Sequence, residues 1–157
     1  MTLLAVRNLT IRYGDTAVVD DLSFSLDRGE AVGLVGPSGA GKSQTALALL
    51  GLSPRSARVS GEVELNGVDL VSAAPDVLRA ERATRIAMVF QDPALALNPY
   101  LTVGRQLAEI LAAHGLASGA EATERVVAAL ARVGLPDPDR QATRYPHQLS
   151  GGMRQRV

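Results

Sequence analysis

No cysteine occurs among the 157 residues, which excludes disulfide frameworks, thiol catalysis and cysteine-based metal sites. Tryptophan is also absent, and three Tyr and two Phe are the only aromatics. Lysine is nearly absent: fifteen arginines accompany a single Lys42. Acids and bases balance at sixteen each. That balance removes the basic footprint expected of a nucleic-acid binder or a polybasic membrane binder. The shortage of aromatics removes the stacking platforms of single-strand binders. No apolar run approaches the ~20 residues of a membrane span. The apolar start Thr2-Leu3-Leu4-Ala5-Val6 is too short for a signal peptide. A soluble, intracellular chain is the default expectation. The two histidines, His114 and His147, lie far apart and make a poor metal site.

Glycine, by contrast, is plentiful at fifteen residues, and 46% of the chain is hydrophobic. That is enough to bury a core of one domain, roughly two-thirds of the surface that the unfolded chain exposes. Residues 3–13 read as a strand closed by Gly14-Asp15. Residues 17–26 read as one or two more, with Leu22, Phe24 and Leu26 alternating with polar Ser23 and Ser25. Two nearly continuous apolar runs, at 30–35 and at 86–90 with a stop at Asp92-Pro93, predict strands covered on both faces, as in a parallel sheet. Residues 61–70 predict a hairpin about Asn66-Gly67. Helices are expected over 45–52, over 75–83 with proline in the first turn, and from 102 onward. Thr102 is the expected N-cap there, with Val103, Leu107, Ile110, Leu111 and His114 on one face. A second helix is expected behind a capping box of Ser118 and Glu121, with Gly134 after its end. Residues 136–146 read as loop, and a last helix begins near Leu149.

Between the first apolar run and the first helix stands Gly36-Pro37-Ser38-Gly39-Ala40-Gly41-Lys42-Ser43. This matches G-x-x-x-x-G-K-[ST] in the strand-to-helix setting that the motif requires. Glycines permit positive φ and let backbone N–H groups approach phosphate oxygens. The helix N-terminus adds unpaired donors and the positive end of its dipole. Lys42 supplies a compact charge for β- and γ-phosphates, and Ser43 a hydroxyl for Mg2+.

Near the C-terminal end, Leu149-Ser150-Gly151-Gly152-Met153-Arg154-Gln155 resembles the signature motif of ATP-binding cassette (ABC) proteins. With the phosphate loop it forms a pair in the family's order, and the resemblance covers the whole chain. It implies an α/β fold: a P-loop NTPase core with an N-terminal antiparallel β subdomain and a helical subdomain, divided at about 1–91 and 92–157. It implies ATP and Mg2+ as ligands. Tyr13 stands where the family stacks an aromatic on adenine, and Gln91 where the family has a glutamine that reaches Mg2+. Gln44 joins the phosphate-loop set, although a small or β-branched residue is expected there. Leu149, Ser150, Gly151, Gly152 and Gln155 are implied to face the ATP of a second nucleotide-binding domain, identical or paralogous. Residues 91–104, from Gln91 to Gly104, are the expected contact for transmembrane permease subunits, with an extracytoplasmic solute-binding protein acting indirectly. The implied location is the cytoplasmic face of the membrane, bound peripherally. The stretches from Phe90 to Pro99 and from Tyr145 to Val157 resemble the dipeptide, oligopeptide and nickel import branch. An importer ATPase follows as the implied function, the ATPase of another ABC system being the alternative.

Plainer readings of the same residues stand beside these. Taken alone, Tyr13 reads as a packing aromatic, Gln91 as a solvated strand end, and Ser150 as a helix cap. The Gly151-Gly152 pair tilts Ser150 toward an anion site. His147 reads as loop packing, His114 as structural, and Arg79, Arg82 and Arg85 as a solvated face. The resemblance further implies that the family's Asp-Glu strand and switch histidine come after Val157, so no catalytic carboxylate is expected within these residues. The chain is therefore expected to be the N-terminal part of an ATPase. Alone it is expected to be unstable and inert, with a non-hydrolysing nucleotide-binding fragment as the contrary reading.

Overall fold

The computed structural model describes residues 2–91 and 96–157. The strand stop expected at Asp92-Pro93 and part of the expected permease contact lie outside the described residues. Two compact units divide the chain, residues 1–88 and 89–157.

The first unit is built on a four-stranded antiparallel sheet in the order β2-β1-β3-β4. β1 (Thr2–Tyr13) and β2 (Thr16–Asp27) are joined by a turn with Gly14 at φ 55°. Residues 17–26 thus belong to one continuous strand rather than two. β1 carries the core: Leu4, Val6, Leu9 and Ile11 are buried with Val63, Leu65 and Leu70. Strict alternation would put Leu4 and Val6 on one face and Leu9 and Ile11 on the other. A bulge at Asn8 (φ 50°) restores the phase, and the register shifts between Val6 and Leu9. The bulge is tied across the ladder. Asn8 Nδ2 donates to Asp21 Oδ1 at 2.6 Å, and the Asn8 N–H donates to Ser23 Oγ at 2.8 Å. On the other side Gly61 sits at φ 96°, where a Cβ would lie 2.5 Å from the Asn8 carbonyl oxygen.

β3 (Ala57–Leu65) and β4 (Val68–Asp69) form the expected hairpin, with Asn66 and Gly67 both at positive φ. Asp69 fastens it. Its carboxylate accepts from the N–H groups of Val63 and Val71 and from the Ser72 hydroxyl. Burial opposes ionisation of Asp69, but these hydrogen bonds outweigh it and hold the carboxyl below its ordinary pKa.

Helix α1 (Lys42–Leu49) starts one turn before the expected residue 45 and ends near Gly51 at φ 61°. Helix α2 (Pro75–Thr84) opens on proline as expected. Arg82 does not join a solvated face: it donates through Nε to the Leu50 carbonyl (2.7 Å) and through Nη2 to the Gly51 carbonyl (2.8 Å). Those are carbonyls that the end of α1 leaves without partners. Arg79 pairs with Asp76 and Arg85 with Glu81.

The strands expected at 30–35 and 86–90 do not form. Neither segment joins a ladder, and Val35 is 92% and Val89 87% exposed. The reason is one of partners. A parallel strand acquires its hydrogen bonds from neighbouring strands, and no parallel strand lies beside either segment among the described residues. An apolar run encodes burial on both faces but does not supply the neighbour.

The second unit is helical: α3 (Val103–Ala113), α4 (Gly119–Arg132), α5 (Pro138–Ala142), a 3-10 turn over Pro146–Gln148, and α6 (Gly151–Arg156). Val103, Val126, Leu130, Leu135 and Leu149 form its buried core. Thr102 caps α3 as expected, its hydroxyl accepting from the Arg105 N–H at 3.4 Å. The box expected at α4 is not made. Ser118 is the N-cap but its side chain takes no capping bond, and Glu121 instead pairs with Arg125 one turn on. The expected α3 face is only partly covered, since Ile110 is exposed. The expected loop at 136–146 contains α5. Its Ala142 carbonyl packs so close to Gly104 that a Cβ there would approach to 2.8 Å.

Candidate nucleotide-binding site

The phosphate loop is shaped by two glycines at positive φ, Gly39 (83°) and Gly41 (81°). A Cβ added at Gly39 would find nothing within 4 Å, so only the backbone conformation requires glycine there. At Gly41 both conformation and space require it. A Cβ would meet the Val18 carbonyl oxygen at 2.5 Å and Val19 Cγ2 at 2.7 Å. The loop is therefore seated against β2.

Gly41 is the N-cap of α1, and no side chain caps the helix. The first backbone bond within the helix runs from the Thr45 N–H to the Gly41 carbonyl at 2.8 Å. The N–H groups of Lys42, Ser43 and Gln44 thus precede the ladder and remain open donors. No acidic residue occupies the first turn. An open, uncapped N-terminus without carboxylates favours an anion through both its donors and its dipole.

Lys42 folds back over this loop. Its ammonium donates to the Gly36 carbonyl at 2.8 Å and to the Pro37 carbonyl at 2.7 Å. These neutral acceptors hold the charge at the loop that leads into α1. Residues 36–40 are exposed, so the loop is reachable from solvent. The Ser43 hydroxyl makes no hydrogen bond among the described residues and is exposed. A triphosphate with its Mg2+ fits this donor set: clustered N–H groups, one ammonium, one available hydroxyl, and a glycine at 41 where any Cβ would intrude.

Tyr13 ends β1, and its ring packs on the first unit's core. Its hydroxyl donates to Gln44 Oε1 at 2.7 Å, across thirty-one residues of sequence. The structure thus joins the expected aromatic to the first turn of α1. The sequence carried only a faint sign of this bond, in the unexpectedly long side chain at 44.

The remaining expected site residues belong to the second unit. Gln91 is exposed and lies in no helix or strand. Ser150 caps α6, its hydroxyl accepting from the Met153 N–H at 3.3 Å. The capping function read from the sequence is therefore present. Gly151, Gly152 and Gln155 are exposed along that helix, and nothing lies within 4 Å of a Cβ added at either glycine. Leu149 is buried in the helical core and anchors the turn into α6. His147 stacks on Tyr145, with ring centroids 5.6 Å apart and planes 12° from parallel. That agrees with loop packing, and no cluster of metal-ligating side chains occurs among the described residues.

A glycine-rich loop of the form G-x-x-x-x-G-K-S that opens a helix defines the class: a P-loop nucleotide-binding domain. The ABC transporter family model matches residues 19–157, and the chain belongs to that family. The oligopeptide transport ATP-binding protein OppD of Escherichia coli is 46% identical over 159 residues, covering 99% of this chain and 47% of its own. A putative peptide import ATP-binding protein of Brucella abortus is 48% identical over 160 residues, covering 99% of this chain and 48% of its own. The chain thus spans about half the length of the curated relatives it matches. Among solved structures, the dimeric bacterial ABC transporter cassette MJ0796 superposes with a TM-score of 0.78 at 29% identity, covering 98% of this chain and 66% of the other. The same cassette in a post-hydrolysis state with ADP and Pi gives 0.77. The fold is that of a P-loop NTPase of the cassette type, with an antiparallel N-terminal sheet and a helical part. No helix among the described residues is long and apolar enough to cross a membrane.

Proposed function

We propose that this chain is the nucleotide-binding portion of an ATP-hydrolysing subunit that drives peptide import. The observation that carries the reading is the open first turn of α1 together with the Lys42 ammonium held on the carbonyls of the preceding loop. The relatives' names support the transported class.

The chain's own residues have separable tasks in this reading. The N–H groups of Lys42, Ser43 and Gln44 and the Lys42 ammonium hold the β- and γ-phosphates and stabilise negative charge during phosphoryl transfer. On nucleotide binding, the ammonium exchanges its two carbonyl partners for phosphate oxygens. Tyr13 stacks on adenine. The Ser43 hydroxyl would hold Mg2+, and the Gln91 amide would be a further ligand as the family resemblance implies; the ion would supply charge neutralisation at the phosphates. Leu149 positions α6, while Ser150, Gly151, Gly152 and Gln155 face the nucleotide of a second nucleotide-binding domain. Neither domain encloses the triphosphate by itself, so the nucleotide favours the closed pair. Residues 91–104 meet the transmembrane permease, and the subunit sits peripherally on the cytoplasmic face of the membrane. The solute-binding protein acts through that permease.

The test is peptide uptake by cells that carry the full-length protein with Lys42→Ala, beside nucleotide binding by the purified variant. Loss of both, with normal protein levels, is expected. Uptake and binding at native levels would refute the proposal.

A further inference from the structure

We propose that Gln44 is a positioning residue for nucleotide-base recognition: its side-chain amide oxygen holds the Tyr13 hydroxyl and so fixes the aromatic ring against the phosphate loop. The inference rests on the reading of Tyr13 as the base platform.

Both ends of this contact are anchored. The Tyr13 backbone is held on two sides, paired with Thr16 in β2 and Ala57 in β3. Its side chain, half-buried at the end of the strand, donates its hydroxyl proton to Gln44 Oε1 at 2.7 Å. Gln44 in turn is the third residue of α1, and its backbone N–H is among the open donors of the first turn. One residue thus faces the phosphates with its main chain and the ring with its side chain.

The chemistry follows from reach and freedom. A tyrosine ring turns about two side-chain bonds, and stacking is effective only when ring and base are near-parallel. A hydrogen bond at the far end of the ring fixes the direction of the ring axis, and the in-plane preference of the hydroxyl hydrogen favours ring orientations aimed at the acceptor, so less freedom is lost when a base arrives. Serine or threonine at 44 is too short to span the same gap, which accounts for glutamine where a small residue is expected. The bond also couples the two halves of the ligand site: displacement of the first turn of α1 moves the ring with it.

The experiment measures equilibrium binding to the full-length protein that carries this chain, with two probes in the presence of Mg2+. One is ATP; the other is inorganic tripolyphosphate, which has phosphates but no base. Gln44→Leu keeps helix propensity and removes the acceptor. It is expected to weaken ATP binding about threefold to tenfold, the range for loss of one hydrogen bond, with tripolyphosphate binding unchanged. Unchanged tripolyphosphate binding also reports an intact loop. Tyr13→Phe, which removes only the hydroxyl, should give the same loss, and the double variant should be no worse than either alone. Native ATP affinity in Gln44→Leu, equal weakening of both probes, or additive losses would overturn the proposal. Tyr13→Ala separates the levels. If it weakens ATP while Gln44→Leu does not, only the positioning role falls. If it leaves ATP affinity intact, the base-platform reading falls with it.

Discussion

The seat of the phosphate loop against β2 makes a quantitative comparison possible between Gly39 and Gly41. Both have φ near 80°, so alanine at either position carries the cost of a left-handed backbone, about 1–2 kcal/mol. They differ in surroundings. At Gly39 the new methyl enters open space. At Gly41 it meets the Val18 carbonyl at 2.5 Å and Val19 Cγ2 at 2.7 Å. Val19 is a buried member of the core, and the Val18 carbonyl belongs to the backbone of β2, so neither yields readily. Overpacking of that kind costs about 1–3 kcal/mol more. Gly41→Ala should therefore destabilise by about 2–5 kcal/mol, and Gly39→Ala by about 1–2 kcal/mol. The two variants should therefore differ in stability by about 1–3 kcal/mol, with Gly41→Ala melting below Gly39→Ala. The functional difference should run the same way. Relief of the clash tilts the loop from β2, and the N–H groups of Lys42, Ser43 and Gln44 lose their common focus. Thermal melts and ATP titrations of the two full-length variants read both effects. Equal melting temperatures with equal ATP affinities would refute the seating of the loop on β2.

Other consequences follow from single contacts. Lys42→Arg should bind ATP far more weakly than the native protein, because a planar fork does not replace a compact ammonium at this loop; a titration showing native affinity would exclude that role for Lys42. Asp69→Asn should cost about 1 kcal/mol at neutral pH once solvent screening is discounted. The folded-state pKa of Asp69 lies below 3.8, so its contribution is present above that value and lost as pH falls through the folded pKa. Melts of native and variant protein should therefore converge below pH 3.8, and a gap that widens on acidification would contradict the assignment. Gly104→Ala places a Cβ 2.8 Å from the Ala142 carbonyl and should destabilise the helical unit by about 1–3 kcal/mol, read by hydrogen exchange in α3 and α5.

What the sequence revealed depended on whether the signal was local. The phosphate loop was legible because its residue types, spacing and setting each have a local physical reason. The hairpin at Asn66-Gly67 and the cap at Thr102 were legible for the same reason. The two apolar runs at 30–35 and 86–90 misled, since a strand is a relation between segments and the pattern within one segment does not provide the other. The bulge at Asn8 escaped because it breaks the period-two pattern by one residue, and only the pairing with Asp21 and Gly61 exposes its logic. Arg82 was misread as solvated because its acceptors, at the end of α1, lie more than thirty residues away. The Tyr13–Gln44 bond is hidden by the same long separation.

The most direct test of the central claim is photolabelling of the full-length protein with 8-azido-ATP, followed by mapping of the labelled peptide. The label should fall on the peptide containing Tyr13, and Lys42→Ala should abolish it. Label on a peptide remote from Tyr13 and residues 36–44, or labelling undiminished by Lys42→Ala, would contradict the assignment of this loop and ring as the nucleotide site.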